Sequence, residues 1–131
     1  MAEIADIVVD CARPAPLARF WADVLDGYRV APYDEEELAR LRAKGIDDPE
    51  DDPTVLVEGP PGRPRLFFVT VPEPKTVKNR LHWDVTLTGP TPEALEAAGA
   101  TVLRAPDDDV TWWVMADPEG NEFCAFPPAK S

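Results

Sequence analysis

His82 is the only histidine in the chain, and it lies two residues before Asp84 in the stretch NRLHWDVTL, residues 79 to 87. An imidazole titrates near neutrality, and a carboxylate beside it, Asp6 or Asp84, can hold it in one tautomer, so His82 has the makings of a general base. Alternation puts Arg80, His82, Asp84 and Thr86 on one face of a strand and Leu81, Trp83, Val85 and Leu87 on the other. The polar face is either a solvated sheet surface or the lining of a polar cavity. Further along, TWWVM sends Trp112 and Trp113 to opposite faces of another strand. Whichever one faces a cavity supplies a flat apolar wall with an N–H donor, suited to a planar ligand. Strand parity leaves the choice between them open.

These residues need a scaffold, and the chain offers the same one twice. IADIVVDC reads as a first strand with Ile7, Val9 and Cys11 on one side and Asp6, Val8 and Asp10 on the other. RPAPLARFWADVLDG carries Leu17, Phe20, Trp21, Val24 and Leu25 at helical spacing, with Pro16 near its start and Gly27 past its end. YRVAPY is a short strand, and Asp34 with Glu37 forms a capping-box pattern before a surface helix that Gly45 ends. DDPEDDP is a loop, TVLVEG and RLFFVTV are strands, and GPPGRP turns between them. After the connector PEPKTVKN comes the His82 strand, then a helix with Thr91 as N-cap, Pro92 at its first position and Gly99 past its end. TVLRAP, VTWWVMA and NEFCAF complete the chain as strands, separated by the acidic turn Asp107 to Asp109 and by DPEGN.

Two halves with one element order imply an internal duplication. Aligning PRLFFVT with NEFCAF pairs Phe68 with Cys124, and aligning the first strands pairs Asp6 with His82. A cavity bounded by both halves would then be lined by Asp6, Phe68, His82 and Cys124. The opposite faces would carry Ile7, Val9, Phe67, Val69, Trp83, Val85, Phe123 and Ala125, all apolar and suited to a covering helix.

With 131 residues, the chain has the size of one domain and can bury roughly 65 to 70% of its unfolded surface. Twenty-five acidic against thirteen basic side chains give a net charge of -12, which argues against nucleic acid and anionic lipid as partners. No apolar run approaches a membrane span, and the first residues lack a secretory signal pattern, so a cytoplasmic location is expected. Cys11 and Cys124 are then expected to remain reduced thiols.

PLARFWADVLDG, VPEPKTVKNRLHWDV and WWVMADPEGNEFCAF together resemble the vicinal oxygen chelate superfamily, the group of glyoxalase I, bleomycin-resistance proteins and extradiol dioxygenases. More narrowly, the chain is similar to bacterial glyoxalase-like domain proteins. The resemblance implies an α+β fold: two tandem βαβββ modules form a half-open mixed β barrel around a cavity, with helices on the outer face, often in a homodimer. Module one would span about 1–72, the connector 73–79 and module two about 80–131, as one domain over 1–131.

Superfamily enzymes hold a divalent metal with His, Glu or Gln from the first and last strands of the modules. The matching positions here are Asp6, Phe68, His82 and Cys124. Phe68 cannot ligate, and Cys124 stands where a Glu usually follows DPxGN, so no metal cofactor is expected. If one binds, its ligands would be Asp6, His82 and Cys124, since carboxylate, imidazole and thiolate are all zinc donors. The implied function is binding or sequestration of a small aromatic metabolite or antibiotic, with Asp6, Phe68, His82, Asp84, Trp112, Trp113 and Cys124 as ligand-binding residues. The alternative is a lyase, isomerase or dioxygenase that uses that metal, or His82 as a catalytic acid-base group.

Overall fold

The computed structural model describes residues 1–129. The chain divides into two compact units, Met1–Pro74 and a second that begins at Lys75. The first contains β1 (Asp6–Cys11), α1 (Pro14–Val24), β2 (Arg29–Val30), α2 (Glu35–Ala43), a 3₁₀ turn at Pro49–Asp51, β3 (Thr54–Glu58) and β4 (Arg65–Thr70). The second contains β5 (Asp84–Thr86), α3 (Glu93–Ala98), β6 (Thr101–Arg104), β7 (Trp113–Ala116) and β8 (Glu122–Phe126). The sheets run β1-β4-β3-β2 and β5-β8-β7-β6, so each unit sets its first strand parallel to its last and keeps the other pairs antiparallel. The fold is α+β, with the same βαβββ topology in each unit and α2 inserted in the first.

In the first unit, α1 packs on β2, β3 and β4. Its Leu17, Ala18, Phe20 and Trp21 are buried, as are Val55, Val57, Leu66 and Phe68 on the strands. Each large side chain removed from water contributes about 1.5–3 kcal/mol, so this layer is the unit's main source of stability. α1 starts on prolines, with Arg13 as N-cap and no side-chain cap bond. Gly27, at φ +80°, lets the chain turn after the helix without a Cβ penalty.

The capping expectation for α2 is met at Asp34, whose Oδ1 accepts the Glu37 N–H at 2.8 Å. Three glutamates in the first turn and two arginines in the last complement the helix dipole. The loop after α2 ends on Asp52, a buried carboxylate. Tyr33 donates its hydroxyl to Asp52 Oδ2 at 2.7 Å, and the Thr54 N–H donates to Oδ1 at 3.0 Å. Burial first, and then the bond to Asp52, push the Tyr33 phenol pKa upward. The loop is thereby tied to the start of β3.

Register corrects the assignment of Phe68. β1 pairs with β4 so that Val9 faces Phe68 and Ile7 faces Leu66, while Asp6 is paired with Arg65 and Val8 with Phe67. Paired residues share a face, so Phe68 lies on the side of Ile7 and Val9, opposite Asp6, and is 0% exposed. It is a core residue. The residue in the first unit that matches Cys124 is Phe67, because Asp84 pairs with Cys124 two positions beyond His82, as Val8 pairs with Phe67 two beyond Asp6. FF offers an apolar side chain at either parity, so the sequence pattern leaves the register of β4 open by one residue.

Three elements of the second unit are shorter than their sequence patterns. β5 pairs only over Asp84–Thr86, with flanking bonds from Cys124 N–H to the Trp83 carbonyl and from Leu87 N–H to the Phe126 carbonyl. Upstream of Trp83 the ladder has ended, and the Asn79 N–H donates to the Glu122 side chain. Leu81, expected on the apolar face, is 81% exposed. β7 starts at Trp113, leaving residues 110 to 112 outside it. α3 begins one residue later than expected, with Pro92 at the cap and its carbonyl accepting the Glu96 N–H at 3.0 Å. No residue of α3 is buried, and among the described residues of the second unit the buried ones are Leu87, Ala100, Met115, Ala116, Phe123 and Ala125 with Pro92 and Asp117. No helix among the described residues is long and apolar enough to cross a membrane.

Candidate functional site

The parallel pairing of β5 with β8 brings three chemically capable side chains together. Asp84 lies opposite Cys124 in register, and His82 precedes Asp84 by two residues on the same side of the chain. One donor atom from each of His82, Asp84 and Cys124 lies within 4.8 Å of the others. His82 Nε2 is 3.9 Å from Asp84 Oδ1, and both side chains are open to solvent, at 43% and 60% exposure. Cys124 is half-buried. Burial raises its thiol pKa, and the negative charge of Asp84 raises it further, whereas Lys78 and a hydrogen bond from Trp112 oppose the shift. The protonated thiol is therefore the neutral-pH form, and any cation bound there must displace its proton.

The same face has an aromatic wall. Trp112 and Phe126 stack with ring centroids 5.2 Å apart and planes inclined by 27°. Phe126 pairs with Thr86, and Cys124 with Val114, so strand parity places Phe126, Cys124 and Asp84 on one side. Trp113 pairs with Ala125, which lies on the other side with Phe123 and Met115, both 0% exposed. Trp112 therefore shares the face of Phe126, Cys124 and Asp84, and Trp113 stands on the opposite face.

Asp6 belongs to the first unit, where Arg65 Nε and Nη2 donate to its two oxygens at 2.8 and 3.1 Å. The Arg65 guanidinium also lies 5.4 Å from the Phe67 ring centroid. Arg65 thus already neutralises the carboxylate expected to serve as a ligand. Within the second unit, the donor atoms gathered around His82 come from Asp84 and Cys124. Cys11 is buried in the first unit, with its Sγ 3.6 Å from the Val69 carbonyl.

Several contributors were not singled out as site residues from sequence. Phe126 was legible, since it lies two residues beyond Cys124 and shares its parity. Lys78 and Asn79 carried no signal, because the connector reads as a polar, proline-broken loop, and Glu122 none, because it reads as an ordinary polar residue opening a strand. In the structure, Glu122 Oε1 accepts from Lys75 Nζ at 2.8 Å and Oε2 accepts the Asn79 N–H at 3.0 Å. Lys75 pulls the Glu122 carboxyl pKa down to about 2, and the Asn79 N–H adds to this against the opposing effect of burial.

A depressed carboxyl pKa stabilises the fold above the unfolded value of about 4.3, and that contribution disappears as pH falls through the folded value. Glu122→Gln should therefore lower stability by on the order of 2–3 kcal/mol at pH 7, with the gap from the parent closing between about pH 4.3 and 2. Urea melts of both proteins across that range check it. A gap that stays constant with pH would contradict it.

The comparisons with known proteins agree with this architecture. A family profile described as glyoxalase-like domain matches residues 6–126. A glyoxalase/bleomycin resistance protein/dioxygenase family enzyme from Burkholderia phytofirmans superposes with a TM-score of 0.61 at 18% identity, covering 98% of this chain and 100% of that one. A glyoxalase/bleomycin resistance protein from Albidiferax ferrireducens gives 0.56 at 16% identity, with coverage of 98% and 100%. The fosfomycin resistance protein FosX from Mesorhizobium loti gives 0.59 at 11% identity, with coverage of 96% and 91%. At these identities the structures attest the fold. No curated protein matches the sequence significantly. Because the profile spans nearly the whole chain and each unit has the βαβββ topology, the chain belongs to the glyoxalase-like domain family.

Proposed function

We propose that the protein binds a small, planar, partly apolar organic molecule on the face formed by Trp112, Phe126, Cys124, Asp84 and His82. The observation that carries this reading is the Trp112–Phe126 stack beside the polar group, an apolar wall bordered by a few hydrogen-bonding atoms. The aromatic surface supplies affinity, and the imidazole and carboxylate fix orientation. Homodimerisation, implied by the family, belongs to the same proposal, and light scattering at two concentrations tests it.

A screen of planar aromatic metabolites and antibiotics, read by tryptophan quenching and thermal shift, tests the reading. A binder should add about 2.7 kcal/mol of stability at a hundredfold excess over its dissociation constant. Saturable quenching without stabilisation, or no response from any compound, would count against it.

A second reading follows from the His82–Asp84–Cys124 group. Nitrogen, oxygen and sulfur donors form a set that zinc accepts, and the exposed His82 and Asp84 side chains have room to adjust. These residues would hold the ion, in place of the set containing Asp6. A divalent ion there would polarise a substrate oxygen or activate water. Without it, His82 serves the same reaction class as an acid-base group beside Asp84. Zinc alone should raise the melting temperature of the parent and leave His82→Ala unmoved. An equal rise in both proteins would remove this reading.

A further inference from the structure

We propose that Glu122 is a positioning residue for His82, acting through the segment that leads into β5. The inference rests on the reading of His82 as part of the ligand site. Residues 75 to 83 form no ladder with a neighbouring strand before the Cys124 N–H meets the Trp83 carbonyl at 3.1 Å. Apolar burial does not pin this segment either, since Val77 is 72% and Leu81 81% exposed. Polar contacts hold it instead.

Glu122 makes the contacts that matter most, with one oxygen on Lys75 Nζ and the other on the Asn79 N–H. Lys75 Nζ also donates to the Val77 carbonyl. The Asn79 side chain donates to Asn121 Oδ1 at 3.1 Å, and the Asn121 amide in turn donates to both oxygens of the buried Asp117 at 3.0 and 3.2 Å. A hydrogen-bonded chain thus runs from the DPEGN turn to Asn79. Residues 80 to 82 are left spanning two anchors on β8: the Glu122 carboxylate at Asn79 and the Cys124 backbone at Trp83. His82 sits next to the second anchor. Releasing the first leaves Asn79 held through its side chain on Asn121, loosens the backbone upstream of His82 and lets the imidazole leave Asp84.

Neutralising Glu122 weakens the charge-assisted bonds to Lys75 and Asn79 while leaving the β8 backbone untouched. NMR of the full-length chain reads the result without any ligand, because the single histidine gives one assignable ring signal. In the parent, backbone order parameters at residues 80 to 82 should lie near the rigid value of about 0.85. In Glu122→Gln they should fall below about 0.6, with the His82 ring signal moving toward its position in the unfolded chain and the β7 and β8 amides unchanged. Glu122→Asp should restore part of the order. Lys75→Met, which keeps the bond from Glu122 to Asn79, should shift the ring signal less and serves as a second probe if Glu122→Gln fails to fold. A mobile segment in the parent, or an unmoved ring signal in folded Glu122→Gln with Lys75→Met equally silent, would overturn the proposal. Because no ligand takes part, failure of the ligand screen and failure of this inference are separate results.

Discussion

Phe68→Ala is expected to cost about 3–5 kcal/mol of stability, the range for truncating a fully buried aromatic side chain. Phe68 is 0% exposed and lies in the layer that also buries Val55, Val57 and Leu66. The deletion leaves a cavity that a tightly packed sheet and helix cannot close. Its neighbour Phe67, half-exposed on the face of Asp6 and Arg65, should lose much less when truncated. Denaturant melts of the two variants measure the contrast. Equal losses would mean that the face assignment drawn from the β1–β4 register is wrong.

Trp112→Ala should weaken binding of the planar ligand at least tenfold, about 1.4 kcal/mol, since it removes one ring of the stack and the N–H donor to Cys124. Trp113→Ala removes a side chain from the opposite face. It should lower the melting temperature while changing affinity less than about threefold at a temperature where both proteins are folded. Fluorescence titrations with the tightest compound from the screen distinguish them. A larger loss in Trp113→Ala would place the ligand on the wrong side of the second sheet.

The legible parts of this chain were those governed by periodicity. Helical spacing in PLARFWADV and the capping residues around α2 located both helices of the first unit to within a few residues. The repeated element order implied the shared strand topology. Faces were legible where one parity was clearly apolar, as at Phe123 and Ala125, and failed at FF in β4, where both parities are apolar. WW, of which only Trp113 lies in β7, needed the partner strand and the stack on Phe126 for the same reason. The connector was opaque because its order comes from contacts far away in sequence, such as Glu122 with Asn79. Asp6 looked like a free carboxylate because the arginine that holds it lies 59 residues later.

The central claim is that the ligand sits on the face of His82, Asp84, Trp112 and Cys124. NMR with labelled histidine and tryptophan indoles tests it most directly, since there is one histidine and only four tryptophans to assign. Titrating in the tightest planar compound should shift the His82 ring and the Trp112 indole together and saturably, and the Trp113 indole little. Saturable binding that leaves His82 and Trp112 unmoved while shifting other tryptophans would contradict the account.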